Sequence, residues 1–180
     1  TIPRHVQRQM TTITERFMKH IGFDNGPFNI EYYWESSTNK IWLLEVNTRI
    51  SKSHSPLFHD VDGAPNLKVM LELATGEQPD FPHREGDYRI AAKFMWREYE
   101  DALVIRAPAK TELTDIQQRF PGTKIQLNVT RGMKLSSMKD QDSYSYEIAV
   151  IFLGGDSQKE LLEKYHEIQQ AMHIELVPVS

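Results

Sequence analysis

The sequence predicts an α+β fold in two parts, and three observations carry that reading. Apolar residues recur at spacings of three and four near the start, and two short apolar runs separated by turn formers follow. The second half alternates with period two in several stretches, interrupted by two helical patterns. With 180 residues and 39% hydrophobic side chains, the chain can bury a real core as one large domain or two small ones.

Taken in order, the first element is a helix. Ile2, Val6, Met10, Ile13, Phe17 and Ile21 form one stripe, Thr1 can cap it, Pro3 is tolerated in its first turn and Gly22 ends it. The runs 28–34 and 41–44 then flank Ser36-Ser37-Thr38-Asn39, which reads as a hairpin. The segment 50–56 reads as a polar loop. Asp62-Gly63-Ala64-Pro65 turns into a helix that carries Leu67, Met70, Leu71 and Ala74 and stops at Gly76. Residues 77–86, with Pro79 and Pro82, are the best linker, so one subdomain is expected over 1–80 and another over 86–180.

In the second part, Tyr88, Ile90, Ala92, Phe94 and Trp96 alternate with Arg89, Lys93 and Arg97 as a half-buried strand, with 102–106 as its expected partner. A helix over 111–120 closes at Pro121-Gly122, and 124–129 forms another strand. Residues 144–153 are apolar on both faces and should form a central strand. Ser157 with Glu160 matches a capping box opening the last helix, and 174–177 could close the sheet. Tyr144, Tyr146 and Trp96 are expected in the core, and the basic face of Arg89, Lys93 and Arg97 in solvent. Asp140-Gln141-Asp142-Ser143 lacks the glycine and terminal glutamate of a calcium loop and reads as a turn.

Composition excludes several functions. A formal charge of −4, from 21 basic and 25 acidic residues, leaves no electrostatic footprint for nucleic acid, and no basic run suits an anionic membrane. Zero cysteines rule out disulfides, thiolate metal sites and a cysteine nucleophile, and fit a cytoplasmic setting. No signal-peptide core occurs in residues 1–25, and no apolar run approaches the roughly 20 residues of a membrane-spanning helix.

The chemistry concentrates in the hairpin. Glu45, Asn47 and Arg49 are spaced by two, so on a strand they share a face. A hairpin symmetric about Thr38 sets Glu31 opposite Glu45, and like charges so placed repel. Hard oxygen ligands on two strands with a nearby amide suit Mg²⁺ bound together with a phosphate. The competing reading is a solvated hairpin face with an Arg-carboxylate pair, and spacing alone divides the two about evenly. His54 lies in the polar loop facing the site, more often a surface position than a ligand. His59 and His83 are expected at the surface.

The run 28–34, then Glu45-Val46-Asn47-Thr48-Arg49-Ile50 with Ser53-His54-Ser55-Pro56 behind it, resembles the metal-binding end of ATP-grasp enzymes of the biotin carboxylase and carbamoyl phosphate synthetase branch. The first helix, the Asp62-Gly63 turn and the helix to Gly76 fall where that family has them. Residues 88–177, with the Gly132-Met133-Lys134-Leu135 turn, the long strand and the helix from Ser157, look like the C-terminal subdomain of biotin carboxylase-like proteins. The implied fold is an ATP-grasp C-terminal half, helix plus antiparallel hairpin and helix, followed by a mixed β-sheet subdomain with two helices.

By that resemblance Glu31, Glu45 and Asn47 hold Mg²⁺ (or Mn²⁺) bridging the phosphates of ATP. Arg49 stabilises the substrate carboxylate or acyl phosphate, and Ser53 and His54 lie near the substrate. The implied reaction activates a carboxylate with ATP for attack by an amine or other nucleophile. Biotin carboxylase carries a glutamate where Ser53 stands, which argues against bicarbonate and biotin chemistry. The turn at 140–143 would lie near the active-site mouth, and homodimers are common among such proteins. The nine glycines are scattered, without a phosphate-cradling cluster. The expectation is therefore the C-terminal portion of a longer ligase, inactive alone and binding nucleotide weakly or not at all. The alternative is a non-catalytic interaction module on the same scaffold, using the sheet of residues 88–177 for a partner.

Overall fold

The computed structural model of the chain describes residues 2–23, 25–139 and 142–179. Two compact units emerge, Thr1–Ser55 with Pro65–Phe81, and Pro56–Ala64 with Pro82–Ser180. Thr1, the expected cap, and Asp140 and Gln141 of the acidic turn lie outside the described residues.

In the first unit, α1 (Arg4–Ile21) starts after Pro3, which takes the cap position with φ −58 and ψ 147, and ends at Gly22 in the left-handed region at φ 67. Val6 of its expected apolar stripe is buried, and so is Met18, which that stripe left out, while Ile2 and Ile21 at the stripe's ends are exposed. The hairpin pairs β1 (Asn29–Glu35) antiparallel with β2 (Lys40–Asn47). Tyr32 joins helix to hairpin, its hydroxyl 2.7 Å from Thr14 Oγ1 and donating to Met10 O at 3.3 Å. Asn39 takes the left-handed conformation the turn requires, at φ 54, and accepts from Trp34 Nε1 at 3.2 Å.

The stretch 50–56, expected as loop, is instead ordered. A 3-10 turn over Lys52–His54 runs into α2 (Ser55–Asp62), in which Pro56 occupies the tolerant first turn. At eight residues, two helical turns, α2 is too short to show a clear periodic stripe, which is why the sequence hides it. The helix expected after Asp62-Gly63 is α3 (Leu67–Ala74), followed by Gly76 at φ 78.

In the second unit, β3 (Ile90–Glu98), β6 (Tyr146–Gly155) and β5 (Thr123–Leu127) form an antiparallel sheet with β6 central, as the doubly apolar pattern of that strand predicts. Ala149, Ile151 and Leu153 of β6 pack with Ile116 and Phe120 of the α4 segment (Lys110–Arg119 and its cap) and with Leu161, Ile168 and Met172 of α5 (Gln158–Met172). Phe94 stacks on Tyr165 at 4.3 Å and 11°, and that burial pushes the Tyr165 phenol up from its ordinary pKa. Ile148 faces the other way, into a second cluster with Ala102, Val104, Val129 and Leu135.

Four expectations are corrected here. Strand β4 (Ala102–Arg106) does not pair with β3. It pairs with β7 (Glu175–Pro178), so the terminal strand closes a separate two-stranded sheet rather than the main one. Arg106 secures the arrangement by donating to Met172 O at 3.0 Å, to His173 O and to Glu112 Oε1 at 2.6 Å. Its charge thus sits at the C-terminus of α5, where the helix dipole favours it. Tyr144 precedes the strand and is 72% exposed, outside the core. Arg97, expected in solvent, is largely covered and paired. The Ser157 cap is present, its Oγ accepting from Glu160 N at 3.2 Å.

Candidate functional site

The hairpin register brings the two acids together. Glu31 pairs with Glu45 and Asn29 with Asn47, after a register shift between Glu31 and Tyr32. Pairs nearer the turn, such as Glu35 with Lys40 and Tyr32 with Leu43, would carry Glu31 onto Leu44 if the ladder continued unbroken. Leu44 is the extra residue of a bulge, and it returns Glu45 to the position opposite Glu31. Both carboxylates are exposed, and among the described residues neither is ion-paired. Cross-strand partners stand about 4.5–5.5 Å apart at Cβ, so two uncompensated negative charges share one face.

Arg49 does not lie on the ladder, because β2 ends at Asn47 and the chain bends. Its guanidinium turns back to donate to Asn47 Oδ1 at 3.2 Å and to Ile50 O at 3.3 Å. The Arg-carboxylate pair that a merely solvated hairpin would show is therefore not formed with Glu45. Asn47 Nδ2 is buried without a hydrogen-bond partner, a state that costs free energy.

Beyond the bend, Ser51 Oγ lies 2.5 Å from His54 Nδ1, and Asn66, just before α3, donates its amide to Ser51 O at 3.2 Å. Asn66 Oδ1 is a second buried polar atom with no partner. Ser53 lies on the 3-10 turn with an exposed side chain. Sequence reasoning missed Asn66, since an asparagine beside Pro65 reads as turn chemistry. It also missed the apolar setting of the acids. Tyr33, Trp42 and Leu44 are 55%, 53% and 62% exposed on the hairpin; their alternation with Tyr32, Leu43 and Ile41 was the available signal.

The donor set of two facing carboxylates and an amide suits a hard divalent cation held jointly with ligand oxygens. No group of three or more His, Cys, Asp or Glu among the described residues could hold a metal by itself. His59 and His83 are surface residues near Asp60 and Asp62, at 3.5 and 3.7 Å. In the second unit, Arg97 pairs with Asp142, donates to buried Ser145 Oγ at 2.7 Å and reaches Glu147 at 3.5 Å. The Asp142 hydrogen bond, opposed by desolvation and helped by both acids, holds its pKa above the ordinary value. No helix among the described residues is long and apolar enough to cross a membrane.

Residues 1–80 match the family model of the carbamoyl-phosphate synthase L chain, ATP binding domain. The carbamoyl phosphate synthase large chain of Pseudothermotoga lettingae is 29% identical over 119 residues, 66% of this chain and 10% of that one. That of Kocuria rhizophila is 29% identical over 76 residues, 42% of this chain and 7% of its own. The chain thus spans a tenth or less of these relatives.

Among solved structures, Kluyveromyces lactis urea carboxylase superposes with a TM-score of 0.62 at 15% identity, over 99% of this chain and 15% of that one. The biotin carboxylase domain of Hydrogenobacter thermophilus 2-oxoglutarate carboxylase, solved as a dimer with MgADP, ADP and bicarbonate, gives 0.60 at 14%, over 99% and 38%. N5-carboxyaminoimidazole ribonucleotide synthetase from Thermotoga maritima gives 0.62 at 11%, over 99% and 44%. The resemblance is borne out over residues 1–80 by the family model, and the α+β fold is like that of biotin carboxylase domains.

Proposed function

We propose that this chain, which matches the carbamoyl-phosphate synthase L chain ATP-binding family model over residues 1–80 and resembles biotin carboxylase domains in fold, is the C-terminal, metal-holding part of an ATP-dependent carboxylate ligase. One observation carries this reading. Glu31 and Glu45 face each other on an exposed surface with no cation paired to either among the described residues, beside an asparagine whose amide nitrogen is buried and unpartnered.

In this proposal the carboxylates of Glu31 and Glu45 would hold Mg²⁺ (or Mn²⁺) together with the amide oxygen of Asn47, through the lone pair that its bond with Arg49 leaves free. When bound, that ion supplies charge neutralisation for nucleotide phosphates. Arg49, held in place by Asn47 Oδ1 and Ile50 O, offers its remaining N–H groups to the negative charge of a substrate carboxylate and then to the acyl phosphate. The γ-phosphoryl group passes from ATP to a carboxylate oxygen as the bond to the departing ADP breaks. An amine or other nucleophile then displaces phosphate. His54, oriented by Ser51, and Ser53 border the substrate. With serine at position 53, no carboxylate stands there to deprotonate bicarbonate, so a different small carboxylate is proposed as substrate.

The ATP-grasp portion is assigned to 1–80 and the biotin carboxylase C-terminal-like portion to 86–180, in a cytoplasmic enzyme with a homodimeric assembly. The isolated 180 residues are proposed to be inactive. Titration with Mn²⁺, followed by the paramagnetic resonance of the free ion, tests the core of the reading. Weak saturable binding that Glu45→Gln reduces at least tenfold is expected. Equal binding by the two proteins removes the metal assignment. Tight Mg-ATP binding by these residues in calorimetry would overturn the proposed inactivity.

A further inference from the structure

The second unit contains a cavity of about 270 Å³ lined by Val61, Arg84, Gly86, Asp87, Tyr88 and Arg89. Its wall is a strap, residues 84–88, fastened to the end of α2 by alternate backbone amides. Arg84 N donates to Asp62 Oδ1 at 3.0 Å, Gly86 N to Val61 O at 3.1 Å and Tyr88 N to Asp60 O at 3.0 Å. Gly63 N donates to His59 O at 3.0 Å. The last carbonyls of the helix are therefore satisfied by backbone N–H groups, and no arginine is needed to cap them.

The strap is built to one shape. Gly86 is the only residue type that fits, because a Cβ there would strike the carbonyl of Asp60. Arg84 holds a left-handed conformation at φ 57, which costs a non-glycine residue free energy unless neighbouring bonds impose it. The bond to Asp62 does so. The ring of Tyr88 lies where a Cβ on Gly122 or Gly154 would go, which fixes the far wall.

Within this rigid frame the charge is unbalanced. Asp62 is taken up by Arg84 N and faces His83, and Asp60 faces His59 and Lys124, at 3.5 and 3.4 Å. Among the described residues no acid pairs with the guanidinium of Arg84 or of Arg89. Asp87 is the one carboxylate lining the cavity with them, so two cations meet one anion. A guanidinium presents a planar fork of donors that matches an oxyanion, and the volume lies below the roughly 300–1,000 Å³ of sites for larger ligands.

We propose that this cavity binds a small phosphoryl oxyanion, gripped by Arg84 and Arg89. The assignment does not rest on the metal site proposed for the hairpin.

The test is a titration of the 180-residue chain, at constant ionic strength, with inorganic phosphate and separately with phenyl phosphate, read by ¹H–¹⁵N NMR. Saturable shifts centred on Val61, Gly86, Asp87 and Arg89 are expected. Arg84→Gln and Arg89→Gln should each weaken binding about tenfold, the value of one charge-assisted hydrogen bond. Asp87→Asn should tighten it, with the rest of the spectrum unchanged. Tighter phenyl phosphate marks an organic phosphate as the ligand, and equal or weaker binding marks the free ion. Shifts that do not saturate, that scatter over the basic surface, or that survive both arginine substitutions overturn the proposal.

Discussion

Glu31 stands directly across the hairpin from Glu45, and it does so because Leu44 bulges out of the ladder between them. The turn alone would have aligned Glu31 with Leu44. A bulge that restores the facing of two acids, and leaves them without a cation among the described residues, spends stability to create local negative charge. Cross-strand like charges are destabilising.

Removing that repulsion should therefore be neutral or favourable for the fold. Glu45→Gln is expected to leave the circular dichroism spectrum unchanged and to raise stability by about 0.2–1 kcal/mol in urea denaturation. The same substitution in a complete enzyme should abolish ADP formation. Turnover equal to the parent would show that Glu45 does not serve the metal.

Arg49 makes one bond to Asn47 and one to Ile50. Arg49→Ala should cost about 1 kcal/mol of stability or less. In a complete ligase it should lower kcat much more than it raises KM for ATP, since the group is assigned to charge that grows during transfer. A change confined to KM for ATP would place Arg49 on the nucleotide instead.

Ile151 is fully buried on the central strand between the sheet and the helices. Ile151→Ala should destabilise the chain by about 2–5 kcal/mol, measured as a lowered denaturation midpoint. A loss under 1 kcal/mol would mean that the core is not packed as described.

Acid should loosen the start of α5. The hydrogen bond from Lys164, with that from Asp156 N, holds the Glu160 carboxyl below the usual glutamate range. A depressed acid contributes stability above its unfolded pKa and loses it as pH falls through the folded one. Glu160→Gln should thus be less stable than the parent at neutral pH, and the difference should vanish in acid below the ordinary glutamate pKa. A gap constant from neutral to strongly acid pH would contradict this linkage. Because the group is exposed, the effect should be small and salt-sensitive.

The sequence by itself determined the features that local rules encode. The stripe from Ile2 to Ile21 specified α1, Gly22 its end, Ser157 with Glu160 the start of α5, and the apolar run around Ile151 the centre of a sheet. It also named Glu31, Glu45 and Asn47, because a motif on a strand is a matter of spacing, whereas Arg49, expected on the same strand face, lies past the strand's end.

Tertiary structure decided the rest. Period-two patterning says which face of a strand is buried but not which strand lies beside it, so the partnership of β4 with β7 could not be read. The bulge at Leu44 depends on where the turn closes, and the exposure of Tyr144 on the strand beginning after it. Most of all, the unpaired arginines at the strap of residues 84–88 emerge only when a segment that reads as linker is fastened by backbone amides to α2, a helix too short to announce itself. Hydrogen bonds between backbone groups far apart in sequence leave no mark in side-chain order, and those bonds built the cavity lined by Arg84 and Arg89.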